Sequence, residues 1–476
     1  MHKIDDRNPS WLRHGAIRTA LLGGVAGAAM LATPQAALAQ DAGASEDASQ
    51  DSGNQIIVRA RKQDETLQEV PVTVTVIGGD TLDKYGVDQV ADVVSRVPTL
   101  NVQVGGSGSG GQLSLRGVGS SNISAAFDSA VAFDFDGVQV STMRLVQAGF
   151  FDTAQIEVLK GPQSLYFGKS ASAGVFAVKS ADPTREWEIG AKASYEFEEK
   201  GYLINGYISG PVTDTLGIRV AAQFNDIDEF IKIAPNTPAV NRKRGLTDFI
   251  GRVTLNWDPL PEFNANLKIQ YSKHENDGAL GTVEIGCGLN GRADEVVLFG
   301  GTIAIPAGYD CNSFDQSYYQ VDANPALASG VPGPSKAEGR NGVPFGETEI
   351  FFARLKWDLD IGDHFTLSSV SGLLDMEAVD FDSYSYGGQG KAFIPGLPAA
   401  VSDAVIAANF PALAAVNRPG VPMGAGASDP INGLKQFSQE IRLSSNYDGP
   451  FNFMVGGFYE WRESCSTPRS RGSTSL

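Results

Sequence analysis

The chain has 476 residues, of which 55 are glycine, about 12% against a usual ~7%. Charged residues are sparse at 19%, and 37 Lys and Arg against 55 Asp and Glu leave a net charge of −18. This acidity excludes a nucleic-acid-binding module, three cysteines and four histidines exclude a disulfide-dense framework and a structural zinc cluster, and no apolar run reaches the ~18 residues of a spanning helix.

Residues 1–39 read as a cleaved signal peptide. Lys3, Arg7, Arg13 and Arg18 form a basic stretch, and Ala20 to Ala32 is a 13-residue apolar core, too short for a membrane anchor. Ala37-Leu38-Ala39 then supplies the small-x-small cleavage pattern. Residues 40–55 are acidic, small and nearly without apolar side chains, so a disordered periplasmic tether is expected there. The tether ends in Ile56-Ile57-Val58-Arg59-Ala60, a run of β-formers that reads either as a strand awaiting a partner or as the first strand of the domain that follows.

Residues 61–182 carry the pattern of a small mixed α/β domain. Val70 to Ile77 alternates as a strand and stops at Gly78-Gly79. Asp88 is placed to cap a helix whose apolar face is Val90, Val93, Val94 and Val97, closed by Pro98. A short strand, a glycine-rich loop from Gly105 to Gly111 and strands at 113–117, 131–140, 154–160 and 174–180 follow. Gly168-Lys169-Ser170 is no phosphate loop, because Gln163 stands where such a loop needs glycine. Asp128, Asp134 and Asp136 could suggest a cation site, but Asp134-Phe135-Asp136-Gly137 is read as a strand ending in a turn.

From residue 186 the period becomes 2. Phe263, Ala265, Leu267, Ile269 and Tyr271, for example, alternate with Asn264, Asn266, Lys268, Gln270 and Ser272. Comparable runs at 186–197, 202–210, 216–225, 247–258, 349–359, 364–375, 435–445 and 451–461 give about nine strands of roughly ten residues, the length a tilted strand needs to cross a bilayer. Aromatics such as Trp187, Trp257, Trp357 and Trp461 bracket the runs, and tight connections alternate with long ones. An exported chain without a helical anchor can cross lipid only as a closed barrel, because an open edge leaves backbone groups unpaired.

Several segments resemble a TonB-dependent outer-membrane receptor of the siderophore-receptor kind. Ile56–Ala60 resembles a TonB box; Leu115–Gly119 (LRGVG), Ile156–Pro162 (IEVLKGP) and Gly161–Val178 (GPQSLYFGKSASAGVFAV) resemble plug motifs, the last departing from the usual pattern at Phe167, Lys169, Ser170 and Phe176-Ala177. The fold so implied is a mixed α/β plug domain (61–182) followed by an antiparallel transmembrane β-barrel (183–462). About nine strands are present of the ~22 in plugged transporters. The chain is therefore expected to be the N-terminal part of a longer protein, and Glu463–Leu476, Ser/Arg-rich and without alternation, to be an atypical tail from truncation or frameshift.

The resemblance implies energised uptake of a scarce substrate, most often an iron–siderophore complex. Cobalamin, oligosaccharides and aromatic compounds are alternatives within the family; a passive porin and a non-functional fragment are alternatives outside it. It implies TonB, with its inner-membrane energising complex, as the partner of Ile56, Ile57, Val58, Arg59 and Ala60. It further implies plug–barrel contacts through Arg116, Glu157 and Lys160. The expected substrate-facing residues are Gly105, Gly106, Ser107, Ser141, Arg144 and Gln147. Cys287 and Cys311 fall in one long loop on the outer, oxidising side and are expected to form a disulfide, with two free thiols as the alternative. No nucleophile–base pair, metal-ligand cluster or cofactor cradle emerges, so neither an enzyme nor a cofactor is expected, and the remaining partners are an extracellular small molecule or metal chelate and outer-membrane lipid.

Overall fold

The computed structural model describes residues 57–58, 62, 65–68, 70–87, 90–104, 111–120, 129–140, 142, 144–145, 150–197, 200–228, 232–233, 245–277, 296–298, 303–305, 319–320, 345–383, 397–409, 427–428, 430–449 and 451–468. The signal peptide, the tether, Ile56, Arg59, Ala60, Gly105, Gly106, Ser107, Ser141, Gln147, Cys287 and Cys311 lie outside the described residues.

The first ten strands and three helices make the plug. A two-residue ladder, β1 (Ile57–Val58) with β2 (Glu65–Thr66), precedes β3 (Thr73–Gly78), α1 (Gly79–Tyr85) and α2 (Val90–Val93). Then come β4 (Leu100–Val104), β5 (Gly111–Leu115), β6 (Val118–Gly119), β7 (Val131–Phe135), β8 (Val138–Val140), β9 (Thr153–Lys160), α3 (Ser164–Phe167) and β10 (Gly174–Ser180). A five-stranded sheet has the order β3-β9-β10-β7-β8, with β10 parallel to β7 and the other pairs antiparallel; β4-β5-β6 form a second sheet. Helix α1 was not expected after Gly78-Gly79. Gly79 is required at its start because a Cβ there would meet the Thr153 carbonyl oxygen at 2.8 Å, and Gly86 closes the helix in the left-handed conformation, φ 60°. The valine helix is a single turn, yet its apolar face is as the spacing predicts: Val90, Val93 and Val97 are all buried.

The wall is built from nine long antiparallel strands. They are β11 (Glu188–Glu196), β12 (Gly201–Thr213), β13 (Leu216–Ile227), β15 (Gly245–Leu260), β16 (Phe263–Asp277), β20 (Phe345–Ile361), β21 (Phe365–Ser383), β23 (Pro430–Ser445) and β24 (Met454–Pro468), each paired with the next in that order. Short pieces lie between them: β14 (Lys232–Ile233) pairs with β19 (Tyr319–Gln320), β17 (Val296–Leu298) with β18 (Ile303–Ile305), and β22 (Ala427–Ser428) with β21, while α4 spans Ala399–Asn409. Among the described residues β11 and β24 do not pair, so the nine strands form an open wall. The last strand runs through Pro468, into the segment where the sequence loses its alternation, because its ladder with β23 continues from Met454 to Pro468.

The wall is inside-out relative to a soluble sheet. Ile189, Ile204, Leu355, Leu373 and Ile441 are exposed, whereas Arg219, Arg252, Asn266, Lys268, Gln270, Ser272, Thr348 and Arg354 are buried against the plug. All the wall strands but β11 are longer than the ten residues expected because they rise beyond the lipid. On β20 the outward side chains are apolar from Ile361 back to Phe351, then become Glu349 and Glu347; on β16 Tyr271 is followed by Lys273 and Glu275, and Lys273 pairs with both Glu275 and Glu347. At about 3.3 Å per residue, Phe351 to Ile361 spans about 33 Å along the strand, or about 25 Å across the membrane at a usual tilt of ~40°. That is the height of an outer-membrane apolar band.

Candidate functional site at the plug and wall interface

Four adjacent wall strands each place one long cation on the inner face: Arg219 on β13, Arg252 on β15, Lys268 on β16 and Arg354 on β20. A buried cation is tolerated only when paired and hydrogen-bonded, and the plug supplies the partners. Arg219 grips Asp152 with Nε and Nη2 at 2.9 and 2.5 Å and lies 3.7 Å over the Tyr207 ring. Arg252 donates to the carbonyl oxygens of Phe151 and Asp152 and to Gln270 Oε1. Arg354 Nε donates to the Asp136 carbonyl oxygen at 2.8 Å, and its Nη1 to Asn266 Oδ1.

Lys268 is the centre of this row. Its Nζ lies 3.1 Å from Asp136 Oδ1, 3.0 Å from Asp182 Oδ1, 2.7 Å from Ser180 Oγ and 2.9 Å from the Ser180 carbonyl oxygen, with only 1% of the side chain exposed. Asp136 sits at the β7–β8 turn in the left-handed conformation, φ 53°, and also accepts from Ser180 N–H and Oγ–H at 3.0 and 2.7 Å. Burial alone would raise its carboxyl, but Lys268, Arg354, Arg252 and the Ser180 hydroxyl outweigh burial and hold it well below the usual carboxylate range. The expected strand-and-turn at 134–137 is therefore present, and the same turn is an anchor.

Beside the ionic row lies an apolar seam. Phe352, Val370, Leu374, Met376 and Leu434 of the wall join the core formed by Phe133, Phe135, Val138, Ile156 and Phe176 of the plug. The Phe135 and Phe352 rings meet edge to face at 5.0 Å. Gly372 lets β8 approach: a Cβ there would lie 2.6 Å from Val138 Cγ1.

The leader is tied into the same interface. Ile57 and Val58 pair antiparallel with Thr66 and Glu65, and the Val58 side chain is fully buried. Lys62, in the left-handed conformation at φ 62°, reaches Asp134 Oδ2 at 3.2 Å and the wall's Glu440 at 3.8 Å, 4.6 Å above the Phe167 ring. A cavity of about 640 Å³ on one side is lined by Glu157, Asn264 and Thr366 among others, and one of about 740 Å³ on the other by Gln139, Tyr166 and Ser438.

Of the charged residues expected at the interface, Arg116 is exposed at the β5–β6 turn with φ 53°, and Lys160 is half-buried at the end of β9. Glu157 is buried on β9, accepts from Gln155 Nε2 at 2.8 Å and faces the first cavity. Arg144, expected to face substrate, is instead buried with Nη1 donating to Thr348 Oγ1 of the wall at 2.9 Å. Asp152, Lys62, Lys268 and Arg354 were not singled out from sequence, and Asp136 was read only as part of a turn. A signal for Arg219, Arg252, Lys268 and Arg354 was present: a long cation at a lumen-facing position of an alternating strand needs an anionic partner from whatever fills the lumen.

A plug pinned by buried charges inside a wall with an apolar outer face defines a plugged membrane β-structure. Residues 66–175 match the family described as TonB-dependent Receptor Plug Domain. Curated relatives include the pesticin receptor of Yersinia pestis, 28% identical over 214 residues, covering 44% of this chain and 30% of that protein. Another is the iron-regulated outer membrane virulence protein of Vibrio cholerae, 25% identical over 187 residues, covering 37% and 28%. Among solved structures, the ferric yersiniabactin uptake receptor of Yersinia pestis overlays with a TM-score of 0.54 at 17% identity, covering 83% of this chain and 50% of that one. The siderophore receptor of Acinetobacter baumannii gives 0.54 at 14% identity, covering 84% and 47%. The chain thus spans about half the length of these solved receptors and less than a third of the two curated relatives. Residues 66–175 match a TonB-dependent receptor plug domain, and the strands after it share the fold of the wall in these solved receptors.

Proposed function

We propose that the chain serves energised uptake across the outer membrane, with an iron–siderophore complex as cargo. A plug held against the wall by buried ion pairs, behind a leader that among the described residues pairs as the short ladder of Ile57 and Val58, supports this reading over a passive porin, which needs neither feature. TonB takes Ile56–Ala60 as an added strand, its main-chain hydrogen bonds giving grip and alternate side chains giving specificity. The similar proteins favour iron: one is an iron-regulated outer membrane virulence protein and another a ferric yersiniabactin uptake receptor. Arg116, Glu157 and Lys160 belong to the same proposal as charged plug positions turned toward the lumen, and Cys287 with Cys311 as the disulfide of an outer loop.

Ile57→Pro tests the assignment. Proline cannot donate to a ladder, so uptake of a ferric siderophore by cells producing the receptor should be lost while substrate still binds. Unchanged uptake, or growth under iron limitation equal to that with the native chain, refutes it.

A further inference from the structure

We infer that His274 and Asn276 form an open coordination site for a divalent transition-metal ion on the lumenal face of β16. The site goes beyond the uptake reading and does not depend on how the leader is used. Both residues belong to the inward set of β16, the set that also holds Lys268, Gln270 and Ser272. They stand past the apolar band, where the outward positions have already become Lys273 and Glu275. Two positions apart on a strand, they share a face with their Cα atoms about 6.7 Å apart, a spacing at which an imidazole and an amide can close on one ion.

The imidazole is oriented for that role. In the wall register Asn225 lies opposite Asp248, and Asp248 opposite His274. His274 Nδ1 is hydrogen-bonded to Asp248 Oδ1, and Asn225 Nδ2 donates to the other carboxylate oxygen at 3.3 Å. A carboxylate only accepts, so the neutral ring carries its proton on Nδ1 and keeps a free lone pair on Nε2. Metal-binding histidines are held in this way, by a carboxylate that is itself hydrogen-bonded. With 38% of its side chain exposed, the imidazole is reachable from the lumen. Asn276 points to a ligand independently: it is only 8% exposed, and its Oδ1 has no hydrogen-bond partner. A buried carbonyl oxygen left unpaired is unfavourable, and a cation seated at Nε2 would give it a partner. Thr348, opposite His274 on β20, is taken by Arg144 and adds no ligand. Among the described residues no three His, Cys, Asp or Glu side chains are grouped to hold a metal, so this site contributes two ligands and leaves the other positions to water or to a chelator that brings the ion in. Imidazole nitrogen with amide oxygen suits Zn²⁺, Ni²⁺ or Cu²⁺ better than Mg²⁺, which prefers an all-oxygen shell.

Isothermal titration with Zn²⁺ tests the site in the purified, chelator-treated receptor in detergent, without a polyhistidine tag and with Cys287, Cys311 and Cys465 replaced by serine. Zn²⁺ should bind once per chain, and Mg²⁺ should not bind there. His274→Gln should weaken Zn²⁺ by about tenfold or more, and Asp248→Asn, which removes the charge that orients the imidazole, by about ten- to a hundredfold. Asn276→Ala should weaken it to a smaller extent. Of the other histidines, His2 and His14 precede the expected cleavage site, and His364→Gln, in the turn between β20 and β21, should bind as the native receptor does. Metal-free unfolding midpoints equal to the native one show that the variants are folded; should His274→Gln not fold, Asp248→Asn, of the same shape as the native side chain, carries the same decision. Absence of Zn²⁺ binding, native affinity in the His274→Gln receptor, or an equal loss in His364→Gln overturns the site. Uptake plays no part in this readout, so failure here leaves the uptake reading standing, and the reverse.

Discussion

Replacing Lys268 by methionine removes the charge at the centre of the plug–wall contact while keeping most of the side-chain length. Asp136 would stay buried, with only the two bonds from Ser180 and the nearby guanidinium groups of Arg354 and Arg252 to hold its charge. Breaking a buried pair from one side usually costs about 3–5 kcal/mol. The surviving Ser180 bonds argue for the lower end, about 3 kcal/mol, or roughly 150-fold in the equilibrium between seated and unseated plug. Amide hydrogen exchange in detergent or nanodiscs reads this directly: protection of Ser180 N–H, which donates to Asp136, should fall by that factor. Asp136→Asn in the Lys268→Met background should recover part of the loss, because asparagine tolerates the left-handed conformation and removes the buried carboxylate that lost its ammonium. A change in protection under about threefold in Lys268→Met would show that the pair does not seat the plug, since 3 kcal/mol is far outside that range.

Gly372→Ala should loosen β8 selectively, because the new Cβ must push Val138 and Ser438 away; overpacking of this kind costs about 1–3 kcal/mol and should appear as faster exchange at Val138 and Val140 with the distant β3–β9 pairing unaffected. The clamp should also ignore mild acid. Asp136 ionises well below its ordinary value in the folded protein, so its contribution is complete above the unfolded carboxylate pKa, near 3.8, and is lost only as pH falls through the folded value. Ser180 protection corrected for intrinsic exchange should therefore be equal at pH 7 and pH 5; a drop between them would mean that a different group controls the seat.

The nine wall strands were legible because a period of 2 survives any error in register, and the outward and inward sets of β16 fall as the alternation of Phe263–Ser272 predicts. The plug motifs were legible for the same local reason: Leu115, Ile156 and Val178 occupy strands and are buried. What escaped was pairing between distant positions. Asp136 and Lys268 are 132 residues apart, and nothing local in Asp134-Phe135-Asp136-Gly137 separates a turn carboxylate facing water from one facing a buried ammonium. Lys62 escaped because its meaning depends on Asp134, Phe167 and Glu440 meeting, three segments joined only by the fold. Arg144 illustrates the converse: a polar residue in a loop expected to meet substrate finds a wall hydroxyl first.

The contacts around the plug are unequal in a way that bears on how it could be opened. Along β13, β15, β16 and β20 the plug is held by buried charges that a sideways shift would strip of partners, each loss costing about 3 kcal/mol or more. Where Phe135 and Val138 meet Val370 and Leu374 of β21 and Leu434 of β23 the contact is apolar, and these side chains must be exposed together or not at all. Among the described residues the leader, by contrast, contributes a two-residue ladder, one buried valine and one lysine, and backbone hydrogen bonds contribute only about 1 kcal/mol each. Among the described contacts, those at β1 and Lys62 are therefore weaker than the ionic row. The expected first response to a pull on the leader is local release there, with the body of the plug still seated on the wall, and amide exchange at Val58 rising while that at Ser180 holds would show it.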